Sequence, residues 1–191
     1  MLEQLNSIDQ KAFFFVNSDL SNSFFDWLMP LMRYPAFWAP LYLFLIIFFI
    51  KEYKIKGLYL IAFLLITFAI ADFVSASIIK EYFRRLRPCN DPALMGLVKV
   101  RLSRCSGGFS FISSHASNHF AIATFLISTF YQRWKWVLPV AFFWAAIICF
   151  AQVYVGVHYP FDVFCGGIFG IVVGYSVSKL RKSLVPIDGI N

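Results

Sequence analysis

Five stretches of this chain, over 35–50, 57–79, 116–131, 137–152 and 161–180, are apolar almost without interruption. A helix needs about 20 mostly apolar residues to cross the hydrocarbon of a bilayer. In lipid every backbone N–H and C=O must be satisfied inside its own segment, so stretches of this kind are read as spanning helices. The shorter ones, 35–50 and 137–152, need flanking residues to complete a crossing. Composition agrees: of 191 residues, 60% are apolar and only 14% charged, whereas a soluble domain carries about 25% charged residues. The 24 Phe exceed what one water-facing core of this size can hide. Disordered, collagenous, coiled-coil and disulfide-dense chains are excluded on the same grounds. The expected fold class is all-α: an integral membrane helix bundle of five spans, one domain over 1–191 with its spanning core at 35–180.

Residues 1–30 are apolar but interrupted by Asn6, Asp9, Asn17 and Asp19. Met1-Leu2-Glu3-Gln4 lacks the basic start of a cleavable signal. The pattern predicts two short amphipathic helices in the membrane interface, the second opened by a capping box at Ser23 and Asp26. A sixth span, broken at 17–19, is the alternative.

The net charge of +7 would suggest nucleic acid in a soluble chain. In a membrane protein basic residues gather in loops beside lipid headgroups, so the bilayer and not nucleic acid is the expected partner. Lys51, Lys54 and Lys56, then Arg133 and Lys135, then Lys179, Arg181 and Lys182 fall on one side of an alternating path. The long loop 80–115, on the other side, holds Lys80, Arg84, Arg85, Arg87, Lys99, Arg101 and Arg104. Charge is therefore nearly balanced and does not fix the orientation. Cys89 and Cys105 share that loop and suit a disulfide if it faces an oxidising compartment; Cys149 and Cys165 read as buried thiols.

Polar residues that are costly near lipid fall into three clusters. Lys80, Arg84 and Arg87 recur at i, i+4 and i+7, and three cations on one helix face repel unless an anion sits among them. Ser113 and Ser114 can cap the third span, leaving free N–H groups and a positive dipole end beside His115. His158 and Asp162 lie four apart, and a carboxylate at one imidazole nitrogen makes the other a better nucleophile. The five-span path brings all three clusters to one membrane face. Charge clamps, a nucleophile and an acid are what phosphoryl transfer needs. His115 and His158 stand among cations that repel a metal ion, so neither metal nor cofactor is expected.

Lys80 with six residues before Arg87-Pro88, then Ser113-Ser114-His115, then His158 with three residues before Asp162: in this order the motifs resemble the type 2 phosphatidic acid phosphatase family. That membrane family shares its site with glucose-6-phosphatase and the vanadium haloperoxidases. The resemblance implies that His158 attacks phosphorus and forms a phosphohistidine, that Asp162 orients His158, and that His115 protonates the leaving oxygen. It gives Lys80, Arg87, Ser113 and the backbone of Ser114 the phosphate oxygens, without a metal. It also implies an extracytoplasmic site, in a bacterial inner membrane protein, and so supports the Cys89–Cys105 bond. The implied substrate is a membrane lipid phosphate or pyrophosphate: phosphatidate, phosphatidylglycerol phosphate, undecaprenyl pyrophosphate or a lipid A phosphate. No obligatory protein partner is implied. A lipid-to-lipid phosphotransferase and a non-catalytic phospholipid-binding member are the alternatives.

Two positions depart from the family pattern. Ile112-Ser113-Ser114-His115 stands where the family has Pro-Ser-Gly-His, which costs little because Ser114 keeps its N–H. Ala151-Gln152 stands where it has Ser-Arg, and Gln152 reaches phosphate with one uncharged donor. Losing a bidentate arginine there predicts a replacement cation, with Arg104 and Arg84 the candidates. In the spans, Asp72 is expected to pair with Ser, Tyr or His of a neighbour, His119 to pack, and Gly166, Gly170 and Gly174 to form a small-residue seam.

Overall fold

The computed structural model describes residues 2–187, and among them it contains helices and no strands. Helix α1 (Leu2–Phe14) continues as a π-helical turn, Phe15–Asp19, and α2 follows at Ser23–Met32. The N-cap of α2 is Asn22, whose side chain accepts from Phe25 N at 2.9 Å. The expected capping box at Ser23 and Asp26 is not formed: Asn22, already in the extended backbone that a cap requires, is the N-cap, and Phe25 at N3 has no side-chain acceptor to return the bond. Leu2–Asp19 carries Glu3, Asp9, Lys11, Asn17 and Asp19, and α2 has 10 residues. Neither is among the segments long and apolar enough to cross a bilayer, which favours the interfacial reading over a sixth span.

Four helical segments are long and apolar enough to cross: Pro35–Tyr53, Ile55–Phe83, Val137–Tyr154 and Pro160–Leu184. The first contains α3 (Ala39–Tyr53); the second joins α4 (Ile55–Phe73) to α5 (Lys80–Phe83) through a π-helical stretch, Val74–Ile79. The other two are α7 and α8, and between them in space lies α6 (Ser114–Phe130). At 17 residues α6 is at the short limit for a span, and it packs against α4, α7 and α8. The fold is a helix bundle of an integral membrane protein.

The tightest contact, α6 on α8, follows from the glycine seam. A Cβ on Gly166, Gly170 or Gly174 would overlap the backbone carbonyl of Ser113, Ser117 or Ala121 respectively. Without side chains there the two backbones meet directly. Elsewhere large side chains fill the space: Phe125, Ala121 and Phe63 against Val173 and Val177, and Trp144 and Ile148 against Ala123. Asp72 is paired inside the bundle, but with Asn118, whose Nδ2 donates to it at 2.8 Å.

The long loop runs from Arg84 to Ser113, since Lys80–Phe83 remain helical and α6 begins at Ser114. It is far from loose. Cys89 and Cys105 are bonded, with Cα atoms 5.9 Å apart. Ser110 closes the base of the loop, donating from N to Arg85 O at 2.8 Å and from Oγ to Leu86 O at 3.0 Å. The N-terminal helices are stitched to the same loop: Asn17 pairs with Lys99 N and O, and Arg101 reaches Asp26, Ser21 Oγ and the face of Tyr154.

Candidate active site

Helix α7 ends in a Schellman turn. Val157 N donates to Gln152 O at 3.3 Å and Gly156 N to Val153 O at 3.0 Å, with Gly156 at φ +90. Only glycine enters that conformation without strain, and it reverses the chain direction at the helix end. Val157, His158 and Tyr159 then cross the bundle end as a short link, and Pro160 opens α8. His158 is therefore held on both sides by helix caps, and it is 1% exposed.

Its two ring nitrogens meet different groups. Arg87 Nη1 lies 3.0 Å from Nε2, and because arginine only donates, Nε2 is the unprotonated nitrogen. Nδ1 then carries the proton and faces Asp162 Oδ2 at 3.5 Å, a contact too long for a full hydrogen bond. Burial, opposed by the hydrogen-bonding pull of Asp162 and reinforced by Arg87, pushes the pKa of His158 down to about 4. A neutral imidazole with its lone pair at Nε2 is the form a nucleophile needs.

Asp162 is completely buried and is compensated on every side. As the N3 residue of α8 it accepts from Tyr159 N at 2.9 Å through Oδ2. Arg85 Nη1 donates to Oδ1 at 2.7 Å, and Nη2 of the same guanidinium donates to Asp9 Oδ2 at 2.7 Å. Arg85 also lies over the Tyr159 ring, 4.0 Å from its centroid. Burial disfavours the Arg85 charge, but Asp162 and Asp9 more than offset it and raise its pKa. Asp9 in turn accepts from Phe161 N at 2.9 Å, tying α1 to the start of α8.

Helix α6 begins beside this group. Ser113 is the N-cap, its Oγ accepting from Ala116 N at 3.4 Å, and its own N–H donates to Asp162 O at 3.0 Å. Ser114 and His115 form the first turn and line a cleft of about 490 Å³ with Arg33, Asp72, Asn118 and His119. Below these polar groups the cleft is apolar, walled by Leu45, Phe49, Leu64 and Phe68 of α3 and α4. His119 bonds His115 O at 2.7 Å and meets Trp144 edge-on at 5.0 Å. A larger, shallower hollow of about 670 Å³ between α1 and α8 touches this chemistry only through Arg85 and Asp9.

The structure thus brings Arg87, His158 and Asp162 into contact, with Ser113 bonded to Asp162. Lys80 is half-buried and close enough for its charge to act on His158 and Arg87. Arg87 is 6% exposed and its pKa is lowered to about 10 by burial, so it stays charged at neutral pH. Gln152 is fully buried, but its amide has no partner among the described residues and does not line the cleft. Neither predicted replacement cation covers the site. Arg84 is exposed and bonds back to Glu81 O. Arg104 is also exposed, and it is Ser106 and Gly107, just beyond Cys105, that contact Arg33 and Arg87. Sequence reasoning missed Arg85 and Asp9 as the support of Asp162. They lie 77 and 153 positions from it, and no local spacing signals such a contact.

The PAP2 superfamily model matches residues 56–185, and the chain belongs to that superfamily. The lipid A 4'-phosphatase of Bacteroides thetaiotaomicron is 34% identical over 99% of this chain and 87% of its own length. An undecaprenyl-diphosphatase of Sulfolobus acidocaldarius is 30% identical over 80% of this chain and 67% of its own. Among solved structures, the transmembrane PAP2-type phosphatidylglycerolphosphate phosphatase from Bacillus subtilis superposes with a TM-score of 0.74. It covers 96% of this chain and 89% of that one at 18% identity, which speaks for the fold alone.

Proposed function

We propose that this chain is a phosphatase of membrane lipids that hydrolyses a phosphate monoester or diphosphate through a phosphohistidine, without a metal ion. One observation carries the reading: Arg87 donates to His158 Nε2 while Nδ1 faces Asp162, so a neutral nucleophile stands beside a cation able to hold the phosphate it attacks. In the first step Nε2 forms a bond to phosphorus and the bond to the lipid oxygen breaks. His115 gives that oxygen its proton, and Asp162 stabilises the positive charge growing on the His158 ring. In the second step His115 takes a proton from water, water oxygen bonds phosphorus, the P–N bond breaks, and phosphate leaves. Lys80, Arg87, the hydroxyl of Ser113 and the N–H of Ser114 at the start of α6 stabilise the equatorial oxygens. Gln152 adds at most a neutral contact.

The cleft supports a lipid substrate. Its polar end is lined by Ser114 and His115, and its apolar end lies between α3 and α4. A relative that matches 99% of this chain is named a lipid A 4'-phosphatase, so a lipid A phosphate is the first substrate to try. We place the site on the extracytoplasmic face of a bacterial inner membrane. The Cys89–Cys105 bond suits an oxidising compartment.

The test is phosphate release by purified protein from a lipid A phosphate, phosphatidate, phosphatidylglycerol phosphate and undecaprenyl pyrophosphate, each with chelator present. Turnover that survives the chelator and disappears in His158→Ala supports the reading, and the ranking of lipids names the substrate. Folded protein with no turnover on any lipid sinks it and favours the phospholipid-binding alternative, for which the uncharged Gln152 speaks.

A further inference from the structure

Helix α2 does more than cover the end of the bundle. Its buried Met29 and Met32 pack on Ala151, Tyr154, Val155 and Val157, the end of α7 that presents His158. Trp38 Nε1 donates to Met32 O at 2.7 Å and Asp26 accepts from Tyr154 Oη at 2.7 Å, so both ends of α2 are fixed. The residue just beyond Met32 is Arg33, the C-cap, and its direction is therefore set by packing.

Arg33 reaches the cleft that Ser114 and His115 line. Its Nη2 is 3.5 Å from Ser106 Oγ, and the next residue, Gly107, accepts from Arg87 Nε at 3.2 Å. Two consecutive loop residues thus hold the two guanidiniums side by side, and the charge of Arg33 acts on Arg87. No carboxylate forms an ion pair with Arg33 among the described residues, and its buried Nε has no partner. Burial lowers its pKa, as it must for a cation without a counter-ion. Such a charge is costly to keep unless an anion neutralises it.

The formal charges around the cleft ask for that anion. Arg85 is shared by Asp9 and Asp162, and Arg33, Lys80 and Arg87 stand near Asp72, so cations outnumber carboxylates. The surplus of positive charge favours an anion such as a phosphate monoester. Meanwhile α7 contributes no charge here, since position 152 is glutamine.

We infer that Arg33, delivered by α2, is a phosphate-binding residue of this site and supplies the cationic contact that Gln152 does not. The inference rests on the phosphatase reading for the identity of the anion, but its test need not. Full-length protein in detergent is titrated with inorganic phosphate, and lipid phosphate turnover is followed in parallel. Arg33→Ala is expected to weaken phosphate binding by about 10- to 100-fold, the usual effect of removing a charge-assisted hydrogen bond. Arg33→Lys should lose less, and Gln152→Arg placed in the Arg33→Ala background should recover part of the affinity. If Arg33→Ala does not fold, Arg33→Lys against Arg33→Gln carries the same comparison. Unchanged phosphate affinity in a folded variant that lacks the charge overturns the inference, even if turnover persists. Phosphate binding that depends on Arg33 in a protein with no turnover keeps the inference and sinks the hydrolase reading instead.

Discussion

The α6–α8 seam and the cap formed by α1, α2 and the loop 84–113 both deliver groups to the same site, but they are held by different forces. In the seam, glycines let one backbone rest on the next, and that contact sets Ser113, Ser114 and His115 of α6 against Asp162 of α8. In the cap ionic and covalent contacts are added to the apolar packing of α1 and α2: Arg85 between Asp9 and Asp162, Arg101 with Asp26, and the Cys89–Cys105 bond. His115 and Asp162 come from α6 and α8 of the bundle, while Arg87, and on our inference Arg33, come from the cap. Lipid offers little driving force between apolar helices, so close backbone packing does the work there. Facing water, the cap can use charge.

The sharpest way to break this contrast is to put bulk into the seam. Gly170→Leu would drive its side chain into Ser117 O and Ala121 N, which are backbone atoms and cannot swing aside. More than about 3 kcal/mol of overpacking is expected. The measurement is recovery of monodisperse protein and its thermal unfolding in detergent. Folded protein with near-normal turnover would show that α6 and α8 are not locked by that contact.

Next in size is the central ion pair of the cap. Arg85→Ala leaves two carboxylates, one of them wholly buried, without their shared cation. Breaking a buried pair from one side costs about 3–5 kcal/mol, and loss of Asp162's support should lower turnover by about 100-fold. Arg85→Lys should fall in between, since lysine cannot bridge both carboxylates as a planar fork does. Equal turnover in wild type and Arg85→Ala would show that Asp162 needs no partner from the cap.

Reduction of the cap's disulfide comes third. Cys89→Ser with Cys105→Ser frees a loop spanning a separation of 16 residues, worth about 3 kcal/mol in the chain-entropy view. Because Arg87 and its acceptor Gly107 O flank the two bonded cysteines, turnover should fall along with the melting temperature. A lower melting temperature with unchanged turnover would separate the disulfide from the site.

The same division decides what could be read from sequence. The five apolar stretches, the cap of α6 near Ser113, the glycine seam and the i, i+4 pair His158–Asp162 all depend on helical repeat or on neighbours in the chain. Those features are legible because hydrogen bonding and side-chain direction in a helix repeat every 3.6 residues. The support of Asp162 is not legible: Arg85 contacts it across 77 positions and Asp9 across 76. Arg33 was hidden for the same reason, and Arg84 and Arg104 looked as suitable on charge alone. The partner of Asp72 is Asn118 rather than Ser, Tyr or His, which hydrophobic spacing has no means to specify.

A smaller effect should appear in the pH dependence, where both regions meet at His158. Its pKa is about 4 in the folded protein and about 6.5 in an unfolded chain. Between those values the unfolded state binds a proton that the folded state refuses, so stability falls as pH drops from 6.5 towards 4. The loss reaches about 2 kcal/mol by pH 5. His158→Gln removes this part of the slope, which denaturation at pH 7 and pH 5 measures. Turnover by the wild type should keep its neutral nucleophile down to about pH 4. An acid limb near 6.5 would mean that water reaches the imidazole and that the cap does not seal it.

The smallest effect distinguishes position from charge. Arg104 belongs to the same basic loop as Arg87 and is bound through Cys105 to the covalent staple. Yet it is exposed and has neither hydrogen bond nor ion pair among the described residues. Exposed charges in water interact weakly and are screened by salt. Arg104→Ala should therefore leave turnover within about twofold of wild type and change stability by less than about 0.5 kcal/mol. The comparison to make is with Arg33→Ala at two salt concentrations. If the loss in Arg104→Ala matched that in Arg33→Ala and both faded with salt, the cap would act as a diffuse positive field that attracts anionic lipid. If only Arg33→Ala lost activity, and salt did not restore it, the cap would act through one placed guanidinium.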